Sequence, residues 1–216
     1  MSLETIRGII IKEVFSGESD KFITVFAKDL GKKSIYCKGA RNTKSKFLSS
    51  TNIFTYGDFI IRTSSKTASL NSVDIIDSFY NIRLNYDTAV FASYLIELLD
   101  KSNIDNVADN NILLLTLKGL KKLCAGGANT YSILNIFRLQ YLLYMGYAPD
   151  FDNIGKHILS FDAIIILNTI INLPLNAVFN YEIPNKNLIE INRFLDQYIQ
   201  QHIDINLKSQ HLLKSL

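Results

Sequence analysis

The sequence predicts an α+β protein of two domains, an N-terminal small β-barrel of the OB-fold type followed by a C-terminal all-α helical domain. Hydrophobic periodicity is close to two over residues 1–80 and close to 3.6 over residues 81–216. No helix-length segment separates the short strands of the first part, and five such strands favour an OB-fold over a larger sandwich. With 216 residues, 48% of them hydrophobic, the chain can build a core in each part.

In chain order, Ile6, Ile9 and Ile11 form a β-branched run that ends at the turn cluster Ser16-Gly17-Glu18-Ser19-Asp20. Phe22, Thr24 and Phe26 alternate with Ile23, Val25 and Ala27 in a second strand. Asp29-Leu30-Gly31-Lys32 reads as a hairpin connection, returning through Ser34, Ile35 and Tyr36. After the polar segment from Gly39 to Thr51, a fourth strand is expected over Ile53 to Thr63, interrupted at Tyr56-Gly57-Asp58, and a fifth over Ala68 to Ile76. Leu84, Val90, Phe91, Tyr94, Leu95 and Leu98 then mark the first helix. A second runs from Ile112 to Leu123, stopped by Gly126-Gly127. Thr130 is the expected cap of a third, Tyr131 to Met145, apolar on nearly all sides and therefore expected at the centre of a bundle. Phe161 to Leu173 suits a buried helix or strand, and its length favours helix. The last helix follows Pro184, with Asn187 and Glu190 spaced as a capping box and Leu188, Ile191, Leu195, Tyr198 and Ile199 on one face.

Catalytic chemistry finds little to work with. His157, His202 and His211 form no HxxxH pattern and read as surface or interfacial side chains. Gly126-Gly127 lacks the Gly-Lys-Ser/Thr continuation of a phosphate loop, and Asp150 with Asp152 reads as an ordinary turn pair. Cys37 and Cys124 are 87 positions apart without a CxxC, which excludes a cysteine zinc site and a disulfide framework. Cys37 reads as a small buried hydrophobe in its strand. The longest apolar runs, about five residues, fall well short of the roughly 18–20 of a membrane span. Glu4 and Arg7 ahead of the short Ile9 to Ile11 stretch argue against a signal peptide, so the expected location is cytoplasmic. A binding protein fits this inventory better than an enzyme.

The net charge of +3 is unevenly spread: residues 1–80 carry +4 and residues 81–216 carry −1. Between Lys28 and Lys46, the seven bases Lys28, Lys32, Lys33, Lys38, Arg41, Lys44 and Lys46 face one acid, Asp29. Such a stripe is either a solvated loop or an anion-binding surface. On a small barrel it acquires meaning, because OB-type barrels bind single strands by joining a cationic groove to aromatic faces. Tyr36 lies between Lys33 and Lys38 and suits either core or surface, whereas Phe22 and Phe26 read as core.

Arg7-Gly8-Ile9-Ile10-Ile11, Gly17-Glu18, Lys21-Phe22-Ile23-Thr24-Val25-Phe26, Leu30-Gly31-Lys32, Lys38-Gly39-Ala40-Arg41 and Tyr56-Gly57 occur in that order. Tyr94 to Asp100, Gly146-Tyr147-Ala148-Pro149 and Leu207-Lys208-Ser209 follow. Together these segments resemble the RecO family of bacterial DNA repair and recombination mediators. The resemblance implies an OB-fold DNA-binding domain over residues 1–80 and a helical domain over 81–216. It also implies a nucleoid-associated mediator of the RecF pathway that binds single- and double-stranded DNA without sequence preference and anneals strands. Implied partners are RecR and the C-terminal tail of single-stranded-DNA-binding protein, with RecA loading as the indirect outcome. Lys32, Lys33, Tyr36, Lys38, Arg41, Lys44 and Lys46 are the expected DNA-binding residues, and no catalytic residue is expected. Many relatives carry a four-cysteine zinc module after the Gly-x-x-Pro turn. Here Asp152-Asn153 runs directly into Ile154-Gly155-Lys156-His157, so no zinc or other cofactor is expected and 146–161 should be a compacted remnant. The alternative is an adaptor for RecR or single-strand-binding protein with little DNA binding of its own.

Overall fold

A computed structural model describes residues 2–64, 67–102, 108–151, 158–203, 207–213 and 215. The chain divides into two compact units, residues 1–80 with 103–113, and residues 81–102 with 114–216.

The first unit is a closed five-stranded barrel of strand order β1-β2-β3-β5-β4, built from β1 (Ser2–Ser16), β2 (Asp20–Ala27), β3 (Gly31–Cys37), β4 (Tyr56–Thr63) and β5 (Ala68–Asp77). β1 is long because it pairs antiparallel with two strands, β4 along Ser2 to Ile9 and β2 along Gly8 to Ser16. A register shift between Ile10 and Lys12 bends it from one partner to the other. The parallel Tyr36–Ser69 pairing of β3 with β5 completes the ring. Inward residues such as Ile6, Ile10, Ile23, Val25, Ile35 and Phe59 fill the interior. Burial there pushes the Cys37 thiol up to about 12, leaving it protonated and unreactive.

Gly8 and Ile9 each oppose residues on both neighbouring strands, Gly8 facing Ala27 on β2 and Gly57 on β4. A side chain at Gly8 would run into the Phe26 carbonyl and the Val25 side chain, and a Cβ at Gly57 would lie 2.5 Å from the Asp74 carbonyl oxygen. Next to this crossing, Arg7 donates from Nε and Nη2 to the two carboxylate oxygens of Asp58, each at 2.7 Å. Tyr56-Gly57-Asp58 therefore lies within β4 rather than interrupting it. The strand also starts later than the sequence suggests, because Phe54 takes a left-handed φ of 73° and buries its ring.

The second unit is helical. α1 (Tyr86–Ser102), α3 (Thr130–Tyr144), α4 (Phe161–Asn172), α5 (Asn185–His202) and α6 (Lys208–Leu213) belong to it, as does most of α2 (Asn110–Ala125). Residues 161–172 are helical, with Ser160 accepting from the Ala163 amide as cap. α3 is buried almost all round and packs against α1, α4 and α5. Its cap is Asn129 rather than Thr130, with the Asn129 side chain accepting from the Tyr131 and Ser132 amides. The expected capping box of α5 does not form. Asn187 is buried within the first turn, and Glu190 instead accepts from the Ser160 amide and hydroxyl at 2.5 and 2.7 Å, joining α5 to the start of α4.

Substituting Gly8→Ala should lower stability by roughly 1–3 kcal/mol through overpacking against backbone. A fall in the urea midpoint of the β-barrel signal checks this, and an unchanged midpoint would show that the strand crossing has room to spare.

Candidate nucleic-acid interface

The exposed part of the basic stripe, from Lys38 onward, follows the end of β3 at Cys37. Its path is set by Asp20, the first residue of β2, whose carboxylate accepts from the Tyr36 hydroxyl, from the Gly39 amide at 2.6 Å and from the Ser19 hydroxyl at 3.2 Å. Gly39 supplies the positive φ of 62° that this turn requires, and the Arg41 amide then donates to the Ser19 carbonyl at 2.9 Å. Residues 38–41 are thereby fastened to the β1–β2 turn. The Tyr36 hydrogen bond, followed by that of Gly39, holds the Asp20 carboxyl below its ordinary range against the opposing effect of burial. The same bond, followed by burial, raises the Tyr36 phenol.

Among the expected site residues, Lys38, Arg41, Lys44 and Lys46 are exposed, while Lys32, Lys33 and Tyr36 are half-buried. Arg41 donates to the Gly17 carbonyl at 3.2 Å and lies 4.3 Å from the centroid of the Phe15 ring. Lys46 donates to the Asn71 carbonyl at 3.1 Å and sits 5.0 Å from the Phe47 ring, which itself packs on the barrel core. Lys33 lines a cleft beside Phe22. The four exposed cations Lys38, Arg41, Lys44 and Lys46 thus make a cationic rim on the segment between β3 and β4, while Lys32, Lys33 and Tyr36 lie on β3.

Two aromatic residues change the reading of this surface. Phe26 is fully buried as expected, but Phe22 is 39% exposed and packs against Tyr36 with centroids 5.2 Å apart. Phe15 was not singled out from sequence and is 63% exposed. Alternation along β2 puts Phe22 on the outward side opposite Val14 and Tyr36, and that parity was the available signal. Lys21, by contrast, is buried and engaged with Glu13 at 2.8 Å and Asn52 at 3.4 Å.

In the helical unit, sequence reading missed Arg138, a fully buried cation on α3. Its guanidinium donates to the Tyr94 hydroxyl at 3.0 Å, to Asn192 at 2.9 Å and to Asp196 at 3.1 Å. Burial raises the Tyr94 phenol, with Arg138 acting against it. Arg138, Asn192 and Asp196 line a groove of about 550 Å³ between α3, α5 and α6, together with Leu134, Leu188, Ile189, Leu213 and the exposed Arg193. His202 stacks on Tyr198 at 3.9 Å and His211 lies on α6. No group of three or more His, Cys, Asp or Glu is gathered among the described residues. Residues 152–157 of the expected compacted connection, including Asp152 and His157, lie outside them.

The fold defines the class: an OB-type barrel with a cationic, aromatic rim, carried on the same chain as a helical unit. Residues 1–79 match the family model for the N-terminal part of recombination protein O, and residues 83–162 match that for its C-terminal part. The chain is 27% identical over 239 residues to the DNA repair protein RecO of Acetivibrio thermocellus, covering 97% of this chain and 95% of that protein. It is 32% identical over 150 residues to that of Caldicellulosiruptor saccharolyticus and 33% over 158 residues to that of Clostridium acetobutylicum. Those two matches cover 69% and 72% of this chain but 61% and 63% of the relatives. The chain belongs to the RecO family of DNA repair proteins. No helix among the described residues is long and apolar enough to cross a membrane.

Removing the Asp20 carboxylate should free the rim without unfolding the barrel. In Asp20→Ala, the Gly39 and Arg41 amides should exchange hydrogen faster while those of β1 and β2 stay protected. Because the folded-state value is depressed, the tether in the native protein is intact above the ordinary aspartate range, near pH ~4, and fades as pH falls through the lowered value. Equal exchange in the variant and the native chain would remove Asp20 from this role.

Proposed function

We propose that this protein is a non-enzymatic DNA-binding recombination mediator of the RecF pathway, which neutralises DNA phosphates with the barrel rim and brings strands together. The observation that carries the reading is the rim itself: Lys38, Arg41, Lys44 and Lys46 are exposed on a segment tethered to the β1–β2 turn, with Arg41 over the exposed ring of Phe15. Cations at a surface contribute little to stability, so their clustering on an anchored segment suits a polyanion. Phosphate contacts carry no base information, which fits binding to single- and double-stranded DNA without sequence preference and the annealing of complementary strands. If five of the seven bases meet single-strand phosphates, log K should fall against log salt with a slope of roughly −3.5. The double variant Arg41→Glu with Lys44→Glu should lose single-strand binding at moderate salt in a gel-shift titration. Unchanged affinity in the folded variant would sink the site.

Partner capture belongs to the helical unit in this reading. The α3–α5–α6 groove joins apolar walls to an exposed Arg193, a chemistry that suits the apolar end of an acidic segment such as the tail of single-stranded-DNA-binding protein. That tail, together with RecR, would place the chain on coated DNA and allow RecA to load. The groove also favours the second reading, an adaptor with little DNA binding of its own. Arg193→Glu should abolish retention of an acidic C-terminal tail peptide in a pull-down and leave the gel shift intact. Retention by this variant would move the tail elsewhere, and an adaptor would show no steep salt dependence in the first titration.

A further inference from the structure

The outward residues of the barrel form a belt in register. Val14 opposes Phe22, Phe22 opposes Tyr36, Tyr36 opposes Ser69, and Ser69 opposes Arg62. Phe22 lies between Val14 and Tyr36 in this belt, with Tyr36 packed against it and its ring partly open to solvent. Next to it is a cleft of about 430 Å³, within the range of clefts that hold small molecules, lined by Phe22, Lys33, Ser34, Thr63, Ser64 and Thr67 among others.

Among the described residues, the cleft holds an aromatic ring, one ammonium group and several hydroxyls. Among the described residues Lys33 makes no ion pair, so its charge is available to an incoming anion. The Ser64 hydroxyl is already bonded to Thr67, and that of Thr63 to Glu4 at 3.4 Å, whereas Ser34 is exposed. A flat ring beside a cation with no ion-pair partner among the described residues matches a nucleotide, whose base stacks and whose phosphate is negative. An apolar protein side chain would use Phe22 and Val14 but leave Lys33 unmatched.

We propose that the Phe22–Lys33 cleft is a subsite for one unpaired nucleotide, its base stacking on Phe22 and its phosphate meeting Lys33. The proposal rests on the DNA-binding reading and adds to it a distinction between substrates. Paired bases are stacked on one another and cannot reach Phe22 without leaving the duplex. The rim cations therefore serve both forms of DNA, and the cleft strengthens only the single-stranded one.

Binding of the full chain to oligothymidylate and to a blunt duplex, followed by fluorescence anisotropy over a salt series, separates the terms. Phe22→Ala should weaken oligothymidylate binding roughly five- to hundred-fold, with the salt slope and the duplex affinity unchanged. Phe22→Leu keeps apolar bulk at the position and should show the same selective loss. Lys33→Ala should reduce the magnitude of the single-strand slope by about 0.7. An oligomer of abasic sites should bind the native chain and Phe22→Ala equally. Full oligothymidylate affinity in Phe22→Leu, or an equal loss on both DNAs, would overturn the subsite and leave Phe22 as a protein contact. Native chain that binds neither DNA would refute the mediator reading itself, and the subsite with it.

Discussion

The barrel depends on the crossing at Gly8. Centred on β1 the sheet runs β3-β2-β1-β4-β5: β1 joins its two halves by pairing with β4 through its first half and with β2 through its second, and the edges β3 and β5 then meet at Tyr36 and Ser69 to close it. Two partners converge where Gly8 opposes both Ala27 and Gly57, and the backbones there approach too closely for a side chain. The bend that follows carries β1 onward to Ser16, and the β1–β2 turn then supplies Ser19 and Asp20 as anchors for residues 38–41. Closure and the placing of the cationic rim are thus parts of one geometric arrangement.

Two kinds of cation serve different ends in this chain. Arg138 and Lys21 are buried, each held by a carboxylate and further hydrogen bonds, and removing either partner would strand a charge in the interior. Those groups specify packing. The rim residues Lys38, Arg41 and Lys44 remain exposed on a segment whose backbone is tethered by Asp20, so the charge is positioned while the side chains stay solvated. Arg41 is steadied further by the Phe15 ring and the Gly17 carbonyl.

The strands were legible because inward residues alternate cleanly: Ile23 and Val25 on β2, and Phe59 and Ile61 on β4, are all fully buried. Helix positions followed from the 3.6-residue repeat, including the ambiguous stretch now seen as α4. Capping was less legible. Asn129 and Thr130 are adjacent candidates, and only the hydrogen-bond geometry chooses between them. Glu190 had a good local use at α5, yet the Ser160 amide and hydroxyl thirty positions earlier offered it a better one. Phe22 and Phe26 share a face of β2 by alternation and differ in burial from complete to 39% exposed, which no local pattern can express.

The sequence by itself determined the two-part architecture, the family and the concentration of positive charge between Lys28 and Lys46, because periodicity, motif order and charge are properties of local chain segments. Tertiary structure decided which charges face solvent, which aromatic rings stay open and why Gly8 and Gly57 carry no side chain. Each of those outcomes depends on atoms far apart in sequence. Tyr36 meets Asp20 across β2 and β3, Gly8 meets Gly57 across β1 and β4, and Arg138 meets Asp196 across α3 and α5. Contacts of that kind follow from strand register and helix packing, which come into being only when the whole barrel closes and the helices assemble.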